Sequence, residues 1–171
     1  MLKNFKNIKT FVFDIDGVLT DGKLLITQEG VMLREMNVRD GYTLQLAIKK
    51  GYEIIVISGS FSAEVQIRLE RLGITKIFMR IENKLQTLKE LIVTFHLNKE
   101  EILYMGDDIP DYDAMTFVGL PCCPCDAATE IKQISKYISP LQGGFGCARE
   151  VIEKVMKLRG DWRLDTHVKS Q

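Results

Sequence analysis

Asp14-Ile15-Asp16-Gly17 sets two carboxylates one residue apart, directly after the apolar run Phe11-Val12-Phe13. Carboxylates so placed suit a division of labour. One attacks an electrophile as a nucleophile and the other moves a proton. Gly17 lets the backbone turn sharply behind them. The same residues would also serve as a solvated turn, so the pair by itself decides nothing. Ser58-Gly59 closes a second apolar run. A hydroxyl and a free backbone N–H ahead of a helix can hold phosphate oxygens. Lys84, after Asn83, opens a helical pattern. The positive end of the helix dipole disfavours it there unless an anion lies opposite. Gly106-Asp107-Asp108-Ile109-Pro110-Asp111 gathers three carboxylates whose repulsion calls for a cation. Hard oxygen donors suit Mg²⁺ better than zinc. Helix capping by Asp111 would leave Asp107 and Asp108 unexplained.

These groups need a scaffold that brings them together. Apolar runs at 9–14, 53–57, 76–78 and 102–105, the second rich in β-branched residues, read as strands. Helical patterns fill 40–50, 62–72, 84–96, 112–117 and 148–158. In the second of these Val65, Leu69 and Leu72 recur at helical spacing, between a Ser62 N-cap and Gly73. Alternating strands and helices predict an α/β fold: a Rossmann-like, doubly wound parallel sheet with helices on both faces. Sites in such sheets lie at the carboxyl ends of the strands, where all four groups fall. The segments 23–27 and 31–36 break the alternation and flank Gln28-Glu29-Gly30, which reads as a β-hairpin. Leu24, Leu25, Ile26, Val31, Met32, Leu33 and Met36 give it apolar residues on both faces. A projecting hairpin 23–36 of this kind predicts an interface with other subunits. The domain reading is a core over 1–160 followed by a polar, non-periodic and flexible tail over 161–171.

Composition narrows the function. Lys plus Arg and Asp plus Glu both number 23 among 171 residues, for a formal charge of zero. A neutral chain without a basic run is a poor ligand for nucleic acid or anionic membranes. Hydrophobic content of 46% and charged content of 27% fit a folded globule. No apolar run approaches the ~18 residues of a membrane span, and the expected compartment is the cytoplasm. Cys122, Cys123, Cys125 and Cys147 do not form two paired C-x-x-C units, and His96 and His167 are the only histidines. Small, partly buried thiols in a reducing compartment are the simpler reading.

Taken together and in order, the four motifs resemble the haloacid dehalogenase superfamily of phosphotransferases. The resemblance covers residues 11–111. It implies that Asp14 is the nucleophile that becomes an aspartyl phosphate and that Asp16 is the general acid/base. By the same resemblance, Ser58 and Lys84 bind the transferring phosphoryl group. Asp14, the Asp16 carbonyl and Asp107 hold Mg²⁺, and Asp108 and Asp111 support them.

From Ser58 to Asn83 there is room for one helix and one short strand only, and between Asp16 and Ser58 for the hairpin and one helix. The enzyme is therefore expected to lack a cap domain, with neighbouring subunits completing the walls of an open site. Asn37-Val38-Arg39-Asp40-Gly41-Tyr42, Gly22 and the segment from Gly143-Gly144-Phe145-Gly146 to Val151 sharpen the resemblance. They are similar to the capless, tetrameric phosphatases of 2-keto-3-deoxy sugar-acid phosphates that serve bacterial lipopolysaccharide synthesis. That resemblance implies substrate contacts at Asp16, Met36, Asn37, Val38, Arg39, Asp40, Ser58, Gly59, Arg68 and Lys84. Guanidinium forks at Arg39 and Arg68 suit a substrate carboxylate. One position departs: the family often carries arginine after the second motif's glycine, where this chain has Ser60. Two alternatives stand beside the eight-carbon substrate. One is a nine-carbon sugar acid 9-phosphate. The other is a non-catalytic tetramerising module like those fused to sugar-nucleotide synthetases, against which intact Asp14, Asp16, Lys84 and Asp107 argue.

Overall fold

The structure is a computed structural model that describes residues 2–163 and 165–168. Leu164 and residues 169–171 of the expected tail lie outside the described residues. In chain order the strands are β1 (Thr10–Phe13), β2 (Leu25–Ile26), β3 (Met32–Leu33), β4 (Glu53–Ile57), β5 (Lys76–Phe78), β6 (Ile102–Met105), β7 (Leu120–Cys123) and β8 (Tyr137–Ile138). The helices are α1 (Leu2–Asn7), α2 (Val38–Lys49), α3 (Ala63–Arg71), α4 (Lys84–Thr94), α5 (Tyr112–Phe117), α6 (Thr129–Ile134) and α7 (Cys147–Arg159).

Six strands pair in the order β5-β4-β1-β6-β7-β8, and every pairing in that sheet is parallel. The chain runs from β1 outward to β4 and β5, then returns to place β6 on the other side of β1. The order reverses beside β1, and a crevice opens at the carboxyl ends there.

Side chains on a strand alternate between faces. Phe11 and Phe13 thus join one core, with Val56 and Met105 of the neighbouring strands and Leu44 of α2 and Ile152 of α7. Val12 faces the other, with Ile55, Tyr104, Leu88 of α4 and Met115 of α5. Helices cover both faces of the sheet, as the alternating pattern predicts. Only α3 and β5 lie between Ser58 and Asn83, so no cap domain is inserted there.

The hairpin forms by the pairing of Leu25 with Leu33 and Ile26 with Met32. It stands off the domain: Leu25 is 69% and Ile26 63% exposed, and Leu24, Val31, Met32 and Leu33 are exposed as well. It is not folded down onto its own sheet.

Part of the polar C-terminal segment is docked along α2 and the start of β4. The Tyr52 hydroxyl donates to Asp161 at 2.6 Å, Lys49 pairs with Asp165 at 2.6 Å, and Trp162 and Val168 pack on the first core. Among the described residues no helix is long and apolar enough to cross a membrane.

Candidate active site

β1 ends at Phe13, and the next residue, Asp14, enters the crevice with its Oδ1 accepting the Ile15 N–H at 2.7 Å. The turn over 15–19 follows, with Gly17 at φ 81°. A Cβ on Gly17 would lie 2.0 Å from an Asp107 carboxylate oxygen, so glycine serves both the left-handed backbone and the approach of Asp107. The loop at Gly143-Gly144 packs behind this turn. Gly144 N–H donates to the Val18 carbonyl at 2.9 Å, and a Cβ on Gly143 would lie 1.9 Å from the Gly17 carbonyl oxygen. Glycines far along the chain thereby hold the Asp14–Asp16 turn in place.

Ser58 follows β4, Lys84 begins α4 under its Asn83 cap, and Asp107 follows β6. Lys84 Nζ lies 2.8 Å from Asp14 Oδ2 and 2.7 Å from Asp111 Oδ1. The anion that the sequence demanded opposite this helix-opening lysine is thus internal. Burial disfavours the Lys84 charge, but Asp14 and Asp111 outweigh it and hold its pKa above the ordinary lysine value. Asp111 is fully buried and also accepts from the Tyr104 hydroxyl at 2.9 Å.

Asp14, Asp107 and Asp111 each offer an oxygen, and these atoms lie within 4.8 Å of one another. Burial, reinforced by the Asp111 charge, pushes the Asp14 carboxyl up to about 7 despite Lys84. Burial and then Asp14, Asp111 and Asp108 push Asp107 up to about 8. Asp107 Oδ1 is buried without a hydrogen-bond partner. One lysine is too little positive charge for this group. A hard divalent cation satisfies both the repulsion and the orphaned oxygen.

The Asp16 side chain stands apart from that group. Arg34, just beyond β3, grips it with Nε 2.6 Å from Oδ1 and Nη2 3.1 Å from Oδ2, and Ser60 Oγ donates to Oδ2 at 2.8 Å. Burial opposes the Asp16 charge, but the hydrogen bonds from Arg34 and Ser60 prevail and lower its pKa. Neither partner was singled out in the sequence as bonded to Asp16. Ser60 reads in the sequence only as a departure, and Arg34, in Leu33-Arg34-Glu35-Met36, carries no distinguishing signal.

A 290 Å³ cavity unites Asp14, Asp16, Ser58, Gly59, Lys84, Asp107, Asp108 and Asp111. The other expected substrate contacts lie elsewhere in this single chain. Met36 and Arg68 line a separate 220 Å³ pocket beside Arg34. Asn37 caps α2 by accepting from Arg39 N–H at 2.8 Å, and its amide donates to the Gly144 carbonyl at 3.1 Å. Val38 and Arg39 are exposed, and Arg39 borders a groove along α7. Asp40 is buried, with Oδ1 accepting the Arg149 N–H at 2.7 Å and Oδ2 unpartnered. Burial pushes its carboxyl up to about 6. Cys122, Cys123 and Cys147 are buried and Cys125 half-buried, all as free thiols.

Residues 61–144 match the family described as haloacid dehalogenase-like hydrolase. The chain is 33% identical to the 3-deoxy-D-manno-octulosonate 8-phosphate phosphatase of Escherichia coli K12, over 91% of this chain and 82% of that one. The chain belongs to the haloacid dehalogenase-like hydrolases. Its solved neighbours are more particular. The 3-deoxy-D-manno-octulosonate 8-phosphate phosphatase of Yersinia pestis superposes with a TM-score of 0.91 at 30% identity, covering 94% of this chain and 86% of that one. The same-named enzyme of Moraxella catarrhalis, solved with magnesium, phosphate and the sugar acid, gives 0.90 at 32%, covering 94% and 92%.

Proposed function

We propose that this protein is a Mg²⁺-dependent phosphatase that hydrolyses 3-deoxy-D-manno-octulosonate 8-phosphate to the free sugar acid and phosphate, a step in lipopolysaccharide precursor synthesis. One observation carries the chemistry. Asp14 stands at the strand end held by the buried Lys84, grouped with Asp107 and Asp111, beside an Asp16 whose side chain belongs to neither. The substrate assignment draws on the likeness to phosphatases of that name along nearly the whole chain.

Asp14, Asp107 and the Asp16 carbonyl would hold the ion, with Asp111 and Asp108 supporting; its charge offsets the repulsion between a phosphate dianion and a carboxylate nucleophile. Lys84 and the Ser58-Gly59 turn hold phosphoryl oxygens. An Asp14 oxygen attacks phosphorus while the bond to the sugar oxygen breaks, and the protonated form of Asp16, repopulated from the ionised resting carboxylate, gives that oxygen its proton. Water then attacks the aspartyl phosphate. Asp16 takes its proton, phosphate leaves, and Asp14 is regenerated.

The hairpin's exposed apolar faces support a homotetramer in which neighbours wall the site, with Met36, Val38, Arg39 and Arg68 acting across the interface while Asn37 and Asp40 hold the local fold. The cytoplasm, where such a precursor would be made, is the proposed location.

The test is phosphate release, with Mg²⁺, from eight- and nine-carbon 2-keto-3-deoxy sugar-acid phosphates. Higher kcat/KM for the eight-carbon ester is expected. Preference for the nine-carbon ester, or no release from either, overturns the assignment.

A further inference from the structure

We propose that Arg34 is a positioning residue for Asp16, brought into the site by the hairpin. The inference rests on the phosphatase reading above and assigns the orientation of the acid/base to a residue outside the four motifs. The Arg34 side chain is only 4% exposed, although it follows a hairpin whose apolar residues are mostly in solvent. Its guanidinium takes both Asp16 oxygens, and Nη1 donates to the Met32 carbonyl of β3 at 3.2 Å. The fork is therefore fixed to the hairpin backbone at one end and to the carboxylate at the other.

Among the described residues, the hydrogen bonds to the Asp16 carboxylate come from Arg34 and Ser60 alone. Ser60 offers one hydroxyl, which fixes a distance but not the plane of a carboxylate. A planar two-point fork fixes that plane. The fork holds the ionised form, and both the uptake of a proton by Asp16 and its delivery to the departing oxygen start from the position so fixed. Arg34 touches neither the grouped carboxylates nor Lys84 in the contacts described, so its effect passes through Asp16.

Leaving-group chemistry separates this role from a structural one. A sugar alkoxide needs a proton as its bond to phosphorus breaks, whereas p-nitrophenolate leaves unprotonated. With Mg²⁺ present, Arg34→Ala should lower kcat/KM for the sugar-acid phosphate by about 100-fold. The fall for p-nitrophenyl phosphate should be under about 5-fold. Arg34→Lys, with the charge but not the fork, should fall between wild type and Arg34→Ala on the sugar ester. Adding Arg34→Ala to Asp16→Asn should cost little more than Asp16→Asn alone, since the two act as a unit. Equal falls on both esters in the alanine and lysine variants, or fully multiplicative losses in the double variant, overturn the Arg34 role and leave the phosphatase reading intact. A wild-type enzyme that turns over neither ester overturns both.

Discussion

Lys84 and Asp14 meet at 2.8 Å with both side chains almost excluded from solvent, and the same ammonium lies 2.7 Å from Asp111. A buried cation between two buried carboxylates is held by their attraction against its desolvation. The lysine thus stabilises the fold of the site as well as the phosphoryl group the site is proposed to bind.

Removing that ammonium leaves Asp14 and Asp111 facing Asp107 without a protein cation. Lys84→Ala is expected to lose about 3 kcal/mol or more of stability in metal-free buffer. Mg²⁺ should restore part of it, while turnover stays at least about 100-fold down. Thermal unfolding with and without chelator, beside phosphate release, checks both. Unchanged stability without metal would contradict the electrostatic account.

Gly17 makes a sharper test of the Asp107 position. Alanine there would place Cβ 2.0 Å from an Asp107 oxygen and strain a backbone at φ 81°. Gly17→Ala should destabilise by about 1–2 kcal/mol. It should also raise the Mg²⁺ concentration for half-maximal activity by about 10-fold or more. A metal titration that overlays the wild-type curve would show that Asp107 does not serve the ion.

Asp40 gives a pH dependence separate from chemistry. Its folded carboxyl is pushed up to about 6 by burial, against the Arg149 N–H and guanidinium that favour its charge, with the Cys147 thiol nearby. The folded state therefore holds this proton more tightly than the unfolded chain. Stability from this group is fully present below the unfolded carboxylate range and is lost as pH rises through about 6. The loss amounts to about 3 kcal/mol at most. Asp40→Asn keeps the oxygen that accepts from Arg149 and removes the titration. Its unfolding midpoint should change less than that of wild type between pH 4 and pH 7. Parallel curves would contradict the assignment.

The hairpin faces predict assembly. Ile26→Lys with Leu33→Lys puts one cation into each of the two exposed apolar pairs, Leu25–Leu33 and Ile26–Met32. Sedimentation should find a tetramer for wild type and smaller species for the variant, because buried unpaired ammonium groups are costly. A wild-type monomer at micromolar concentration would contradict the interface.

How far these features could be read from sequence depended on the range of the interactions behind them. β4, β5 and β6 have the expected bounds because short apolar runs between turn residues are local signals. β7 was not expected: Pro121 sits inside it and cannot donate to a neighbour, yet its carbonyl accepts from Lys136 N–H at 2.9 Å. β8 has two residues and α1 six, too short for periodicity to register. The strand-end carboxylates and Lys84 were legible because each lies beside its own turn. The Arg34–Asp16 fork spans a hairpin and the Tyr104–Asp111 bond a strand-to-helix turn, so both depend on tertiary placement. Asn37 and Asp40 read as polar residues in a motif, whereas their side chains cap helix N-termini, a use composition does not distinguish from substrate contact. The docking of Asp161 on Tyr52 and of Asp165 on Lys49 had no local signal either.

The most direct test of the central claim is steady-state phosphate release from 3-deoxy-D-manno-octulosonate 8-phosphate by freshly purified Asp14→Asn, with Mg²⁺. An amide is not a useful nucleophile, so turnover should fall by at least about a thousandfold. The unfolding transition should remain cooperative. Turnover within about 10-fold of wild type, in protein free of the wild-type chain, would show that Asp14 does not carry the phosphoryl group.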